Sequence, residues 1–390
     1  MDITITPGKL YGKVRVVSSK SLMHRYLICS AFADAPTALY CSNACDDIEA
    51  TIDCLRTLGA KIEKNPGGYL VSPISEYPKT AVLRCRESGT TLRFLLPIVG
   101  ALGIESTFLL EGRLGKRPLS PLWEEMQRMG CVLTHPDENT IICKGQLRSG
   151  KYSIAGNVTS QFISGLLIAL ALMGGDSRLQ ITGSVESAPY LEMTRIILGQ
   201  FQANEKAFHS PGEIYVEGDW SNAAYFLAVN RLGCDVQLDG LNETSLQGDQ
   251  AIVGYLNKLD SNVTIDLSDT PDLFPVLAVV AAAKCGATFT GIGRLRYKES
   301  DRIQSVHALL EDLGIRICSS KDTFTVEPGD IRGGTVDSFG DHRIAMAAAA
   351  AAVAADGPIT ILNADCVSKS YPDFWDELHC LGGIYAQHIR

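Results

Sequence analysis

The chain lacks three things whose absence narrows what it can be: a Cys-x-x-Cys pair, an apolar run of membrane length, and an excess of positive charge. Lys and Arg number 35 against 44 Asp and Glu, giving a formal charge of -9 and a pI near 5.3. Wrapping nucleic acid requires a basic face, so no nucleic-acid partner is expected, and any anion site has to be a local concentration of cations. The longest apolar stretch, Ile344 to Ala355, stops at Asp356 and falls short of the roughly 20 residues a spanning helix needs. The first residues, Met1-Asp2-Ile3-Thr4, hold no basic segment leading into an apolar one, so no membrane association and a cytoplasmic location are expected. The 12 Cys are scattered, most of them in apolar runs such as Leu27-Ile28-Cys29 and Ile141-Ile142-Cys143. A free thiol there behaves as a small buried hydrophobe, so reduced core thiols are expected, with neither disulfides nor a metal centre.

With 46% apolar and 20% charged residues the composition is that of a globular protein, and 390 residues exceed the length at which one core usually divides. Two domains are expected. A helical pattern ending in Leu-Gly or Met-Gly recurs at Gly59, Gly130, Gly199, Gly314 and Gly382, with spacings of 71, 69, 115 and 68. The long gap fits two shortened units, which makes six copies. In the second copy Ser88-Gly89-Thr90 opens a helix to about Leu102, a strand runs Ser106 to Leu110, a loop Glu111 to Pro118, and a helix Pro121 to Met129. Strands alternate with helices throughout, so the class is α/β.

Six segments open the first helix of each copy: Ser19-Lys20-Ser21, Ser88-Gly89-Thr90, Thr159-Ser160-Gln161, Asp219-Trp220-Ser221, Thr270-Pro271-Asp272 and Gly340-Asp341-His342. Each reads as an N-cap, since Ser, Thr and Asp satisfy free amide donors. Caps alone do not call for the cations beside them: Lys20, Arg25, Arg93, the loop Arg113-Leu114-Gly115-Lys116-Arg117, the run Arg296-Tyr297-Lys298-Glu299-Ser300-Asp301-Arg302, Arg343 and Lys369. Helix N-termini bind anions through free N–H groups and the positive dipole end. An acidic chain with cations gathered at helix starts is suited to a small, highly charged anion.

These segments carry a resemblance. Ser19-Lys20-Ser21 with Arg25, Ser88-Gly89-Thr90 with Arg93, Lys116-Arg117-Pro118, Ser160-Gln161-Phe162, Ser187 with Pro189-Tyr190, Glu217-Gly218-Asp219, Asp269-Thr270-Pro271-Asp272, Leu295 to Arg302, Asp341-His342-Arg343 and Lys369-Ser370-Tyr371-Pro372 occur in the order found in the enolpyruvylshikimate-phosphate synthase family, and the sequence is similar to it over nearly its whole length. The resemblance implies a two-lobed, inside-out α/β barrel of six βαβαββ repeats, three per lobe. It implies a first lobe of residues 1–17 plus 218–390 and a second of 18–217, closing on substrate. It implies a monomer that transfers the enolpyruvyl group of phosphoenolpyruvate to the 5-hydroxyl of shikimate 3-phosphate by addition and elimination, with no cofactor and no metal.

Carried over by position, Asp272 is the expected base for the 5-hydroxyl. Glu299 is the expected group for proton exchange at the methylene carbon, with Lys20 as the other candidate. Shikimate 3-phosphate is expected to meet Lys20, Ser21, Arg25, Thr159, Ser160, Gln161, Ser187, Tyr190, Asp272 and Lys298. Phosphoenolpyruvate is expected to meet Lys20, Gly89, Arg117, Gln161, Lys298, Arg302, Arg343 and Lys369. His342 is given a supporting role, and Gly291-x-Gly293 a strand-end turn. The chain departs from the family pattern at Ser18, His24, Glu87, Ala188 and Arg294 and in a short segment 191–216; Glu87 is expected to turn outward toward Arg84 or Arg86. The family also implies competition by glyphosate at the phosphoenolpyruvate site. The sister family that acts on UDP-N-acetylglucosamine has a Cys in the loop matching Leu110 to Pro118, which here has none. An inactive binding module of the same fold would be expected to lack Lys20, Asp272 or Glu299, and all three are present.

Overall fold

The structure, a computed structural model, describes residues 1–42, 44–202 and 208–388. The chain folds as two compact units, one formed by Met1–Val17 with Gly218–Arg390 and the other by Ser18–Glu217. Each has its own hydrophobic core.

The described strands make six sheets. Four of these repeat one design, a parallel pair followed by two antiparallel strands. In the sheet of Thr80–Arg86, Glu105–Leu110, Thr140–Gly145 and Cys131–Asp137, the first two strands run parallel and the rest antiparallel. The other two sheets have only the parallel pair: Lys151–Ala155 with Arg178–Thr182, and Tyr11–Arg15 with Asp235–Asp239. The gap between Gly199 and Gly314 therefore holds one shortened unit, not two. Its second unit is complete, with Val263–Asp266, Ala287–Thr290, Thr323–Val326 and Ile317–Ser319 in one sheet. Part of the short segment 191–216, residues 203–207, lies outside the described residues.

Strand burial alternates, as in Thr80–Arg86 and Glu105–Leu110, so these sheets keep one wet face. Two helices in each unit have almost no wet face. Phe274–Ala283 and His342–Ala352 are buried almost all round and pack on each other and on Trp220–Arg231 in the first unit. Gly89–Leu102 and Ser160–Met173 do the same in the second. Helices apolar on every side belong in the interior, so within each unit the sheets form the outside.

Close approach of helix backbones depends on small residues. Pro97, within Gly89–Leu102, has no N–H to give the Arg93 carbonyl one turn earlier. The Ser160–Met173 helix passes that carbonyl at Gly165, where an added Cβ would lie 2.3 Å from Arg93 O.

Of the five recurring glycines, Gly59, Gly130, Gly314 and Gly382 follow helix ends with φ of +111°, +120°, +82° and +91°. Gly199 instead lies inside the helix Ala188–Gln200. Cys285, Cys318 and Cys380 are exposed, the other nine are buried or half-buried, and all 12 Cys are free.

Candidate active site

Five of the six helix starts cap as expected. Ser19 accepts from Leu22 N, Ser88 from Thr91 N, Thr159 from Gln161 N, Asp219 from Asn222 N and Asp341 from Arg343 N. The fifth differs: Pro271–Leu273 is a single 3-10 turn, and Thr270 makes no side-chain cap. That leaves the Asp272 carboxylate for other partners.

In the first unit those partners are cations. Arg302 Nη1 donates to Asp272 Oδ1 at 2.7 Å, Lys298 Nζ lies 3.2 Å from the same oxygen, and Arg343 Nη2 donates to Oδ2 at 3.2 Å. Burial by itself raises a carboxyl, but Arg343, Lys298 and Arg302 together hold Asp272 well below the usual carboxylate range. The Asp272 side chain is still 23% exposed, open enough to meet a ligand. Burial, opposed by Asp272, draws the Lys298 ammonium down to about 8.

Arg302 is a strut. Its Nε and Nη2 donate to Asp341 at 2.9 and 3.2 Å, and Nη2 also reaches Glu299 Oε2 at 2.7 Å. Its side chain has no exposed surface. It sits beneath the carboxylates and fixes Asp272 and Glu299 relative to each other. Asp341, which sequence reading took as a cap, accepts at once from Arg302, from Ser300 Oγ at 3.0 Å and from the Arg343 N–H at 3.0 Å. Three cations and three carboxylates thus balance in one cluster, which makes their burial tolerable.

Arg343 is further held by Ser221 Oγ, 2.5 Å from its Nη1, in the first turn of the helix Trp220–Arg231. Burial works against the Arg343 charge, but Asp272 and other neighbours outweigh it and raise the guanidinium well above its ordinary value. Lys369 ends the turn Ala364–Lys369 and is buried, and His342 Nδ1 is 3.9 Å from Asp341.

The second unit holds the other expected residues. Lys20 is the first residue of Lys20–Ala31, and its Nζ lies 2.9 Å from Asp47 Oδ2. Gly89 opens Gly89–Leu102, where an added Cβ would be 2.9 Å from Arg117 Nη1 and 3.3 Å from Arg93 Nη1. Two guanidiniums therefore lie over the bare start of this helix. Arg93 Nη1 donates to Gln161 Oε1 at 2.6 Å, and Gln161 Nε2 donates to Thr90 Oγ1 at 2.8 Å. Gly89, Arg117 and Gln161 are thus brought together. Ser160 is buried beside Gln161, and Ser187 takes φ +55° ahead of the helix that carries Tyr190.

Arg25 is 3% exposed. Nε donates to Thr194 Oγ1, Nη1 to Ser21 O, and Nη2 to Ser164 Oγ and Tyr190 O, at 2.7 to 3.3 Å. At most one of its five N–H groups remains for a ligand. Burial brings its guanidinium down to about 10, so it is still charged at neutral pH.

Arg86 takes φ +49° and donates to Asp53 Oδ2 at 2.7 Å. The Glu87 carboxylate lies over Gly112, where a Cβ would be 1.4 Å from Oε1. Asp47, Ser164 and Thr194 escaped the sequence reading, which singled out Arg93 as a cation beside a helix start and Ser221 and Asp341 as parts of helix starts. For Asp341 the cap position was the signal; for Asp47 nothing local marks it. Among the described residues no group of His, Cys, Asp and Glu could hold a metal ion, and no helix is long and apolar enough to cross a membrane.

The family model described as EPSP synthase (3-phosphoshikimate 1-carboxyvinyltransferase) matches residues 5–266 and 259–378. A 3-phosphoshikimate 1-carboxyvinyltransferase of Clostridium kluyveri is 36% identical over 414 aligned residues, which cover 98% of this chain and 97% of that one. One from Brachyspira hyodysenteriae is 35% identical over 419, covering 98% and 99%. A solved EPSP synthase from Acinetobacter baumannii has a TM-score of 0.80 at 24% identity, covering 99% of this chain and 100% of that one. The enolpyruvyl transferase NikO of Streptomyces tendae has a TM-score of 0.74 at 18% identity, covering 99% and 98%. These two likenesses are of fold, the enolpyruvyl transferase fold.

Proposed function

We infer that this chain, which belongs to the EPSP synthase family, transfers the enolpyruvyl group of phosphoenolpyruvate to the 5-hydroxyl of shikimate 3-phosphate and releases phosphate. The observation that carries the reading is the Asp272 carboxylate among Arg302, Lys298 and Arg343. Such a group supplies both a base and the charge to hold an anion beside it.

The two substrates bring two phosphates and two carboxylates, and the reaction needs their charge neutralised while a C–O bond forms and a proton reaches C3. Asp272 takes the proton of the 5-hydroxyl as its oxygen attacks C2 of the enol. A proton is delivered to C3, and the tetrahedral adduct forms. Loss of phosphate from C2, with return of a C3 proton to the enzyme, restores the double bond. Glu299, fixed by Arg302, suits the C3 exchange, with Lys20 as the other candidate. Phosphoenolpyruvate is met by Lys20, Gly89, Arg117, Gln161, Lys298, Arg302, Arg343 and Lys369. Shikimate 3-phosphate is met by Lys20, Ser21, Arg25, Thr159, Ser160, Gln161, Ser187, Tyr190, Asp272 and Lys298. This acid–base and anion chemistry is within the reach of side chains alone.

The test is phosphate release from phosphoenolpyruvate with shikimate 3-phosphate, run beside UDP-N-acetylglucosamine. Turnover with the second substrate and none with the first would reverse the assignment.

A further inference from the structure

One turn beyond Lys20 lies a histidine that the proposed chemistry does not use. His24 is 1% exposed, and its Nδ1 is 2.7 Å from Thr51 Oγ1. Thr51 Oγ1 is 2.7 Å from Thr91 Oγ1, which is 2.7 Å from Ser88 Oγ. These hydroxyls have no exposed surface. The chain of contacts joins the starts of two helices, Lys20–Ala31 and Gly89–Leu102, through a third, Asp46–Thr57. That third helix also carries Asp47, the partner of Lys20.

Proton accounting gives the chain a direction. The single Thr91 hydroxyl proton goes to Ser88 Oγ at 2.7 Å or to Asp47 O at 3.4 Å. With the Thr91 proton on Ser88 Oγ, Thr91 Oγ1 accepts from Thr51 and Thr51 Oγ1 accepts from His24 Nδ1; the Thr51–Thr91 contact run the other way would place the imidazole proton on Nε2. The surroundings of the other ring nitrogen select the first direction, with His24 neutral and its proton on Nδ1. Its Nε2 has no hydrogen-bond partner among the described residues, and a bare acceptor is better tolerated there than an orphaned N–H. Burial, aided by Lys20 and Arg25 and opposed by Asp47, brings the imidazole down to about 3, so it stays neutral through the working range.

We propose that His24 is a positioning residue for the reaction: through Thr51, Thr91 and Ser88 it fixes the helix start that presents Gly89 against the one that presents Lys20. The inference rests on the functional reading above. The two middle members are threonines, whose branched side chains have few rotamers, so the link is stiff. Ser88 caps the helix that begins at Gly89, and a shift of this cap moves the Gly89 N–H directly.

Thr51→Val fills nearly the same space and breaks the chain at its middle. It is expected to lower kcat/KM for phosphoenolpyruvate by about tenfold, more than it weakens shikimate 3-phosphate, because small misplacements of binding groups are costly in rate. His24→Leu is expected to do the same. His24→Asn, which keeps a donor, is expected to retain most activity. Imidazole nitrogen shifts of the wild-type protein are expected to show Nδ1 protonated and Nε2 bare from about pH 5 to about pH 8. Wild-type kinetics in Thr51→Val and His24→Leu, even with a lowered thermal midpoint, would mean a merely structural histidine and overturn the proposal. So would an Nε2–H tautomer or titration of His24 near pH 6.5. Should Thr51→Val fail to fold, the His24→Asn and His24→Leu pair and the nitrogen shifts decide the matter. If the wild type releases no phosphate at all, the functional reading fails separately, and the shifts still test the chain.

Discussion

Arg302 Nη1 donates to Asp272 Oδ1 at 2.7 Å from a side chain that has no contact with solvent. The proposed base is thus held from beneath by a fixed cation, with Lys298 and Arg343 beside it.

Asp272→Asn keeps the shape and removes the base. Turnover is expected to fall by about 10² to 10⁴, the usual contribution of a general base. Shikimate 3-phosphate binding, read by calorimetry, should persist. Phosphoenolpyruvate should bind no more weakly than before, since the substitution removes a negative charge from among three cations. Turnover within about tenfold of wild type would remove Asp272 from the role.

Lys298 sets an alkaline limb. Its ammonium loses a proton near pH 8 rather than at the ordinary 10.5, mainly because it is buried. Below that pH the cation is present to hold the substrate anion; above it the charge is lost. A pH profile of kcat/KM for phosphoenolpyruvate should therefore fall as pH rises through about 8, and Lys298→Arg should move that limb upward. An unchanged limb in Lys298→Arg would assign it to another group.

Gly89→Ala places a Cβ 2.9 Å from Arg117 Nη1 and 3.3 Å from Arg93 Nη1, so both guanidiniums must retreat from the helix start. Phosphoenolpyruvate affinity should drop, and glyphosate inhibition should drop with it. Glu87→Asn is expected to change both by less than about fivefold, the scale of a partly exposed charge. Inhibition constants in the wild type and both variants provide the check; a tenfold tightening of both ligands in Glu87→Asn would show that its carboxylate opposes the bound anions.

Gly165→Ala sets a Cβ 2.3 Å from the Arg93 carbonyl, which Pro97 leaves without its usual helical donor. Backbone cannot yield as a side-chain tip can. A loss of about 1–3 kcal/mol is expected, measured by urea unfolding. Equal stability would mean that the two helices can separate freely.

The caps at Ser19, Ser88, Thr159, Asp219 and Asp341 were legible because a cap depends on residues two or three positions apart. So was the alternation of strands and helices. The fifth start was misread: Pro271 and Asp272 look like a cap, yet the 3-10 turn there sends the carboxylate to Arg302, 30 residues away. The number of short repeats was misread too, since a spacing between glycines does not show which unit has lost its antiparallel pair.

The amino-acid order alone determined the repeat, most of the helix starts and the family resemblance, all of which rest on local spacing and motif order. Tertiary structure alone decided how deeply each cation is buried and which carboxylates it pairs with. Arg302 and Arg343 look equivalent as isolated residues, but packing encloses Arg302 completely against Asp341, 39 residues away, and leaves Arg343 8% exposed. Whether a charge stays in water or is buried and paired depends on the neighbours the fold brings to it, and those neighbours are distant in the chain.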